Sequence, residues 1–226
     1  MVRVLGIETS SARGSIALVD GRTTVCTLEH ERANAHGESI LPLVERALAL
    51  AGWNRSQLDR IAVGSGPGSF TGLRVGIAIA QGLSEGLEVP LVAIPSLRAM
   101  ALAVPAGLGG CRCVLVDARK GESFAAAYDP DGSERIPVRL IVSVNELTPL
   151  LRELPEPIYI GNGTVALPES MRVHRSAETD LPHARWTALA AVDAAPTPIV
   201  RPLYVRDAGA VLPRMPQNPL RVARSD

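Results

Sequence analysis

Two acidic residues stand at positions where chemistry could use them. Glu8 closes a mainly apolar run that starts at Val2, and Asp117 closes another that starts at Cys113. A turn rich in small and basic residues follows each acid: Thr9-Ser10-Ser11-Ala12-Arg13-Gly14 in one case, Ala118-Arg119-Lys120-Gly121 in the other. An acid at the end of the first strand in each of two matching halves suits a nucleotide and metal held between lobes. It is equally the polar end of an ordinary strand, because most such groups are simply solvated. The second candidate is Gly64-Ser65-Gly66-Pro67-Gly68-Ser69-Phe70-Thr71-Gly72-Leu73-Arg74-Val75-Gly76. A glycine loop between strand and helix can offer its amides to a phosphate, or it can be a tight turn. The Walker pattern ends in Gly-Lys-Ser/Thr, and Thr71-Gly72-Leu73 stands there instead. The other reactive types lack partners at useful spacings. None of His30, His36, His174 and His183 has a His-x-x-x-His or His-x-x-Glu partner. No serine sits in a Gly-x-Ser-x-Gly elbow with an identifiable base. Cys26, Cys111 and Cys113 make no disulfide framework, and Cys111 and Cys113 alternate along one strand as small buried groups.

The elements that would position these residues repeat. The first half reads as strands over 2–8, 15–20 and 22–29, with Asp20-Gly21 as a hairpin signal. A helix follows, with Ile40, Leu41, Val44, Ala47, Leu48 and Ala51 as its apolar stripe, and Gly52 stops it. Pro42 requires that helix to begin near Glu38 or Ser39. A strand at 61–63, the glycine loop and a helix over 71–85 complete the half. The second half repeats the plan with strands at 113–117, 122–128 and 135–142. Ser143-Val144-Asn145-Glu146 is a capping box that opens a helix through Leu147, Leu150, Leu151 and Leu154. A strand at 157–160 ends in Gly161-Asn162-Gly163, and a last helix spans 183–193. This order predicts an α/β protein with a mixed sheet in each half, covered by helices. The breakers between Ala103 and Gly110 put the boundary there. The expected division is a first lobe over 1–103, a smaller second lobe over 104–206, and a solvated, partly disordered tail over 207–226.

The chain has 226 residues, 46% of them hydrophobic but only 3% aromatic, so Ala, Val, Leu and Ile must build the core. Twenty-three basic and 23 acidic residues cancel, which removes any global field for nucleic acid or anionic membrane. No apolar run approaches the ~20 residues of a membrane span. Glu8 comes too early for a signal peptide, and a cytoplasmic protein is expected. The 71–85 helix has only Arg74, Gln81 and Glu85 as its polar stripe, so most of its surface must be covered. Gly72 and Gly76 lie on one face and invite close backbone approach. We expect this helix and the 40–51 helix to pack side by side and present a joint face to a partner. Leu41, Val44, Leu48, Phe70, Gly72, Leu73, Arg74, Gly76, Ile77 and Ala80 are the residues expected there. Packing within one lobe is the competing reading.

The run from Gly66 to Gly76, with Gly6-Ile7-Glu8-Thr9-Ser10 before it, resembles the TsaB family. Asp117-Ala118-Arg119-Lys120-Gly121-Glu122 and Pro202-Leu203-Tyr204-Val205-Arg206 are similar to that family's later motifs, so the resemblance runs from about residue 2 to 206. It implies an actin-like ATPase fold of two ribonuclease-H-like lobes. It implies a non-catalytic dimerisation subunit, an inactive paralogue of TsaD, with no catalytic residues of its own. The partners it implies are a TsaD-like catalytic subunit and a TsaE-like ATPase. Together they place threonylcarbamoyl on the adenosine beside the anticodon of tRNA, which this subunit meets only indirectly. A homodimer of the isolated chain stays open. Glu8, Thr9, Ser10, Gly66, Gly68, Ser69, Asp117, Arg119, Gly161 and Gly163 would line a vestigial nucleotide cleft. The catalytic relative carries a His-rich metal motif where this chain reads Pro90-Leu91-Val92-Ala93-Ile94-Pro95-Ser96-Leu97-Arg98-Ala99-Met100. No metal cofactor is therefore expected, and ATP or ADP should bind weakly, if at all, and within the complex. The alternative is an enzyme, either an actin-fold ATPase or phosphotransferase or a glycoprotease-type metallopeptidase.

Overall fold

The computed structural model describes residues 1–31, 35–142, 146, 154–167, 171, 173–174 and 176–205. The helix expected from the 143–146 capping box and the tail over 207–226 lie outside the described residues, apart from Glu146 and Leu154.

Five strands form the first sheet in the order β3-β2-β1-β4-β5: β1 Arg3–Glu8, β2 Gly14–Asp20, β3 Thr23–His30, β4 Arg60–Gly64 and β5 Leu91–Ile94. The meander β1-β2-β3 is antiparallel, while β4 and β5 run parallel to β1. β1 is buried on both faces, which is why it reads as a nearly continuous apolar run. β3 lies at the edge and alternates between exposed and half-buried residues. The second sheet, β8-β7-β6-β9, repeats this layout with β6 Arg112–Arg119, β7 Glu122–Tyr128, β8 Glu134–Ile141 and β9 Ile158–Ile160. β9 runs parallel to β6, and Val173 makes a parallel bridge to Tyr159 where a fifth strand would stand.

Helices α1 (His36–Ala51) and α2 (Phe70–Leu87) cover one face of the first sheet, with Ile40, Val44, Leu48, Ile77 and Ala80 against Leu5, Ile7 and Ile61. Gly52 ends α1 in the left-handed region, and Trp53 N–H bonds back to Leu48 O. Pro42 lies deeper than expected, because α1 begins at His36 rather than near Glu38. The helix gives up the bond that residue 42 would have donated to the Glu38 carbonyl.

The other face of this sheet holds a larger departure. After α3 (Ser96–Leu102) and the short α4 (Ala177–Asp180), α5 (Ala184–Ala191) returns to the first sheet. Ala184, Ala188 and Ala191 pack on Val4, Ala17 and Ala62. Gly6 makes the approach fit, since a Cβ there would lie 2.5 Å from the Ala184 carbonyl oxygen. The division at 103/104 thus misassigns α5, which covers the first lobe although it follows the second in sequence. Its small apolar residues suit a flat, close helix-on-sheet contact. Three arginines hold this part of the chain by its carbonyls. Arg13 reaches the carbonyls of Ala177, Leu181 and Pro182, Arg60 those of Ala191 and Ala194, and Arg22 that of Leu189. The breaker-rich stretch between the halves is pinned in the same way. Buried Arg112 donates to the carbonyls of Pro105, Gly109 and Gly110.

Beyond α5 the chain runs as a strap over 196–205. Thr197 N–H donates to Leu91 O at 2.8 Å, Val200 enters the first core, and Leu203 N–H donates to Ser65 O at 2.7 Å.

Candidate functional site

Glu8 ends β1 with 0% exposure. Its Oε1 accepts the Ser10 N–H at 2.9 Å, and its Oε2 accepts hydroxyls from Ser96 at 3.0 Å and Thr187 at 3.4 Å. Gly64 opposite makes the room, because a Cβ there would lie 2.0 Å from Oε2. Burial pushes the Glu8 carboxyl above its ordinary range, while bonds from Ser10 and Ser96 pull the other way. Turn, α3 and α5 therefore meet on one carboxylate that water does not reach.

The glycine loop beside it is occupied by the protein itself. Gly66 N–H donates to Ser96 Oγ at 3.2 Å, and Ser69 N–H to Ser10 O at 2.7 Å. Gly72 N–H donates to Ser69 Oγ at 3.2 Å, so Ser69 is the N-cap of α2. A Cβ at Gly68 would lie 2.1 Å from Ser10 O, one at Gly72 2.1 Å from Thr9 O, and one at Gly76 2.1 Å from Thr9 Oγ1. These glycines let α2 lie against the Thr9-Ser10 turn, and the tight-turn reading accounts for the loop. Thr9 also donates to Gly72 O at 2.8 Å.

Asp117, Arg119, Gly161 and Gly163 gather at the end of the second sheet. Asp117 is exposed, accepts the Arg119 N–H at 2.7 Å and donates its own N–H to Asn162 at 2.9 Å. Arg119 and Lys120 both take positive φ, 66° and 55°, at the hairpin tip. A Cβ at Gly161 would lie 1.9 Å from Leu115 O, and one at Gly163 3.0 Å from Leu115 C, so this pair serves packing against β6. The two strand-end acids are not equivalent: one is sealed and one is solvated. Glu8 is closed to a ligand, and the Gly66, Ser69 and Gly72 amides of the loop are already bonded within the protein. Among the described residues no group of three or more His, Cys, Asp and Glu side chains is placed to hold a metal ion. No described helix is long and apolar enough to cross a membrane.

The expected partner face needs correcting residue by residue. Val44, Leu48, Gly72, Leu73, Gly76, Ile77 and Ala80 are buried inside the lobe, where the helices meet the sheet and the Thr9 turn. Leu41, Phe70 and Arg74 are exposed. The outer side of α2 carries Thr71, Ala78, Gly82 and Gly86, and a Cβ at either of these glycines meets nothing within 4 Å. Gly72 and Gly76, expected on that face, point instead toward the Thr9 turn of the same lobe. Sequence reasoning also missed Arg13, Arg60, Ser96 and Thr187, whose partners are distant in sequence.

A family model described as TsaD: tRNA N6-adenosine threonylcarbamoyltransferase matches residues 30–154. The chain belongs to this family. Within it the chain falls in the TsaB/YeaZ group. It is 37% identical over 136 residues to the tRNA threonylcarbamoyladenosine biosynthesis protein TsaB of Escherichia coli, covering 58% of this chain and 56% of that protein. It is 41% identical over 100 residues to the Haemophilus influenzae TsaB, covering 44% and 42%. The matched stretch thus spans about half the length of these curated relatives. Over the whole fold, the chain is similar to YeaZ from Pseudomonas aeruginosa, with TM-score 0.73 and 25% identity, covering 90% of this chain and 100% of that one. The ethanolamine utilization protein EutJ from Carboxydothermus hydrogenoformans, at TM-score 0.52 and 11% identity over 82% and 88%, shares the fold alone. That fold is actin-like, two mixed sheets covered by helices.

Proposed function

We propose that this member of the TsaB/YeaZ group is a non-catalytic scaffold subunit in the formation of threonylcarbamoyladenosine in tRNA. It works with a TsaD-like catalytic subunit and a TsaE-like ATPase, and tRNA reaches it only through that complex. The enclosure of Glu8 by Ser10, Ser96 and Thr187 carries this reading. The acid that an actin-like enzyme would turn toward a ligand is enclosed here by the protein's own donors. The names of the relatives supply the process.

The catalytic subunit docks on the outer side of α1 and α2. These helices pack side by side, and their free surface carries Leu41, Leu50 and the small residues Ala78, Gly82 and Gly86. Small residues there allow partner helices to come close. The test is gel filtration of the chain with the TsaD-like subunit of the same organism. The wild type should co-elute with it. Gly82→Arg should keep its melting temperature and lose the complex. Failure of the wild type to associate would overturn the proposal.

A further inference from the structure

The chain has seven aromatic residues of the Phe, Tyr and Trp types: two Phe, three Tyr and two Trp. Two of them sit together at the surface. Phe70, at the start of α2, and Tyr204, in the strap, stack at 5.2 Å between ring centroids and are 43% and 47% exposed. Arg74, one turn along α2, touches both. Its guanidinium carbon stands 3.8 Å from the Phe70 ring centroid, and its Nε donates to the Tyr204 hydroxyl at 3.0 Å. No described carboxylate forms an ion pair with it. The strap holds Tyr204 in place, since the preceding residue, Leu203, is bonded to Ser65 of the glycine loop.

A lysine or an unsupported arginine would lose side-chain freedom on meeting a partner. Arg74 has already lost it. Its flat face is stacked, its Nε is tied, and its terminal Nη fork is left for a planar two-oxygen acceptor. Exposed aromatics that hold a fixed arginine have the composition of binding hot spots. The patch sits at the N-terminal end of the same α2 whose outer side was proposed above as the docking face.

We propose that Phe70, Arg74 and Tyr204 form an anchor for a carboxylate side chain of the protein that docks on α1 and α2, with an apolar group of that partner seated on the two rings. The inference rests on the docking reading and adds the chemistry of its recognition. An RNA phosphate is the competing source of oxygens. It is disfavoured because Arg74 is the only basic residue of α2, the helix that carries the patch, whereas a nucleic acid surface needs several cations.

The test compares affinities for the TsaD-like subunit by calorimetry at low and high salt. Arg74→Gln should weaken association about tenfold or more at low salt and flatten its salt dependence. Tyr204→Phe keeps the stack but loses the tie to Nε, and should weaken association about threefold. Both variants should melt with the wild type. If the wild type binds, Gly82→Arg does not, and Arg74→Gln binds as the wild type does, the anchor is wrong while the docking face stands. If the chain alone binds tRNA and Arg74→Gln abolishes that binding with the subunit complex intact, the carboxylate assignment is overturned in favour of phosphate.

Discussion

Thr187, 179 residues further along the chain, donates its hydroxyl to Glu8 across 3.4 Å. The contact ties α5 to the first strand and closes the one place where β1 could present an acid. Ser96 completes the closure from α3, donating to the same oxygen while accepting from Gly66.

This closure has a pH signature. Burial raises the Glu8 carboxyl above its unfolded value, so the fold prefers the protonated form. Stability relative to a neutral isostere is therefore unchanged below the ordinary carboxylate range and falls as pH rises through the folded value. Glu8→Gln removes this dependence, so its stability relative to the wild type should rise as pH increases from about 4 toward about 8. Urea melts across that range measure it. A stability difference that does not change with pH would contradict the raised Glu8 value.

His183 works in the opposite sense. Its Nδ1 accepts the Arg185 N–H at 3.0 Å as the cap of α5, while Nε2 faces Glu29 at 3.4 Å. Burial, then Arg13, lowers its pKa, against the pull of Glu29 and Glu178, with Arg185 lowering it further. Stability from this group is complete above the unfolded histidine value and is lost as pH falls through the lower folded one. His183→Asn keeps a capping oxygen without titrating. It should remove part of the acid sensitivity, whereas His183→Ala should cost about 1 kcal/mol near neutrality. Equal acid sensitivity in the Asn variant would contradict this assignment.

Two glycines of α2 should respond oppositely to the same change. Gly76→Leu drives a side chain into Thr9 and should destabilise the lobe by about 3 kcal/mol or more. Gly82→Leu meets open space and should melt at or above the wild-type temperature, because glycine is a poor helix former. Reversal of that order would place the wrong face of α2 on the sheet.

The hairpin tip predicts a gain. Lys120 has φ 55°, a left-handed conformation that a side chain makes costly. Lys120→Gly should stabilise the second lobe by about 0.5–1 kcal/mol, read as a shift of the thermal midpoint. No gain would mean that the Lys120 side chain makes a compensating contact.

Much of the fold was legible because it is local. Asp20-Gly21 and the Gly52 stop act over a few residues, and the structure shows a hairpin and a left-handed helix end there. The repeat was legible because both halves start with the same antiparallel meander. The return of α5 to the first sheet was not, since alanines on a short helix do not say which sheet they will cover. The site suffered for the same reason. Glu8 was found from its position, but its seal comes from Ser96 and Thr187, which have no motif of their own. Gly72 and Gly76 showed a need for close approach, yet could not show that the approaching backbone was Thr9 of the same lobe.

The central claim is the scaffold role, and reconstitution tests it most directly. A TsaD-like subunit, a TsaE-like ATPase, a threonylcarbamoyl donor and unmodified tRNA are combined with wild-type chain, with Gly82→Arg, or with neither, and tRNA nucleosides are read by mass spectrometry. The account predicts threonylcarbamoyladenosine with the wild type, near-background yield without it or with Gly82→Arg, and an unaffected yield with Glu8→Gln. Full modification in the absence of the chain would contradict it, as would loss of modification on Glu8→Gln in a folded, complex-forming protein.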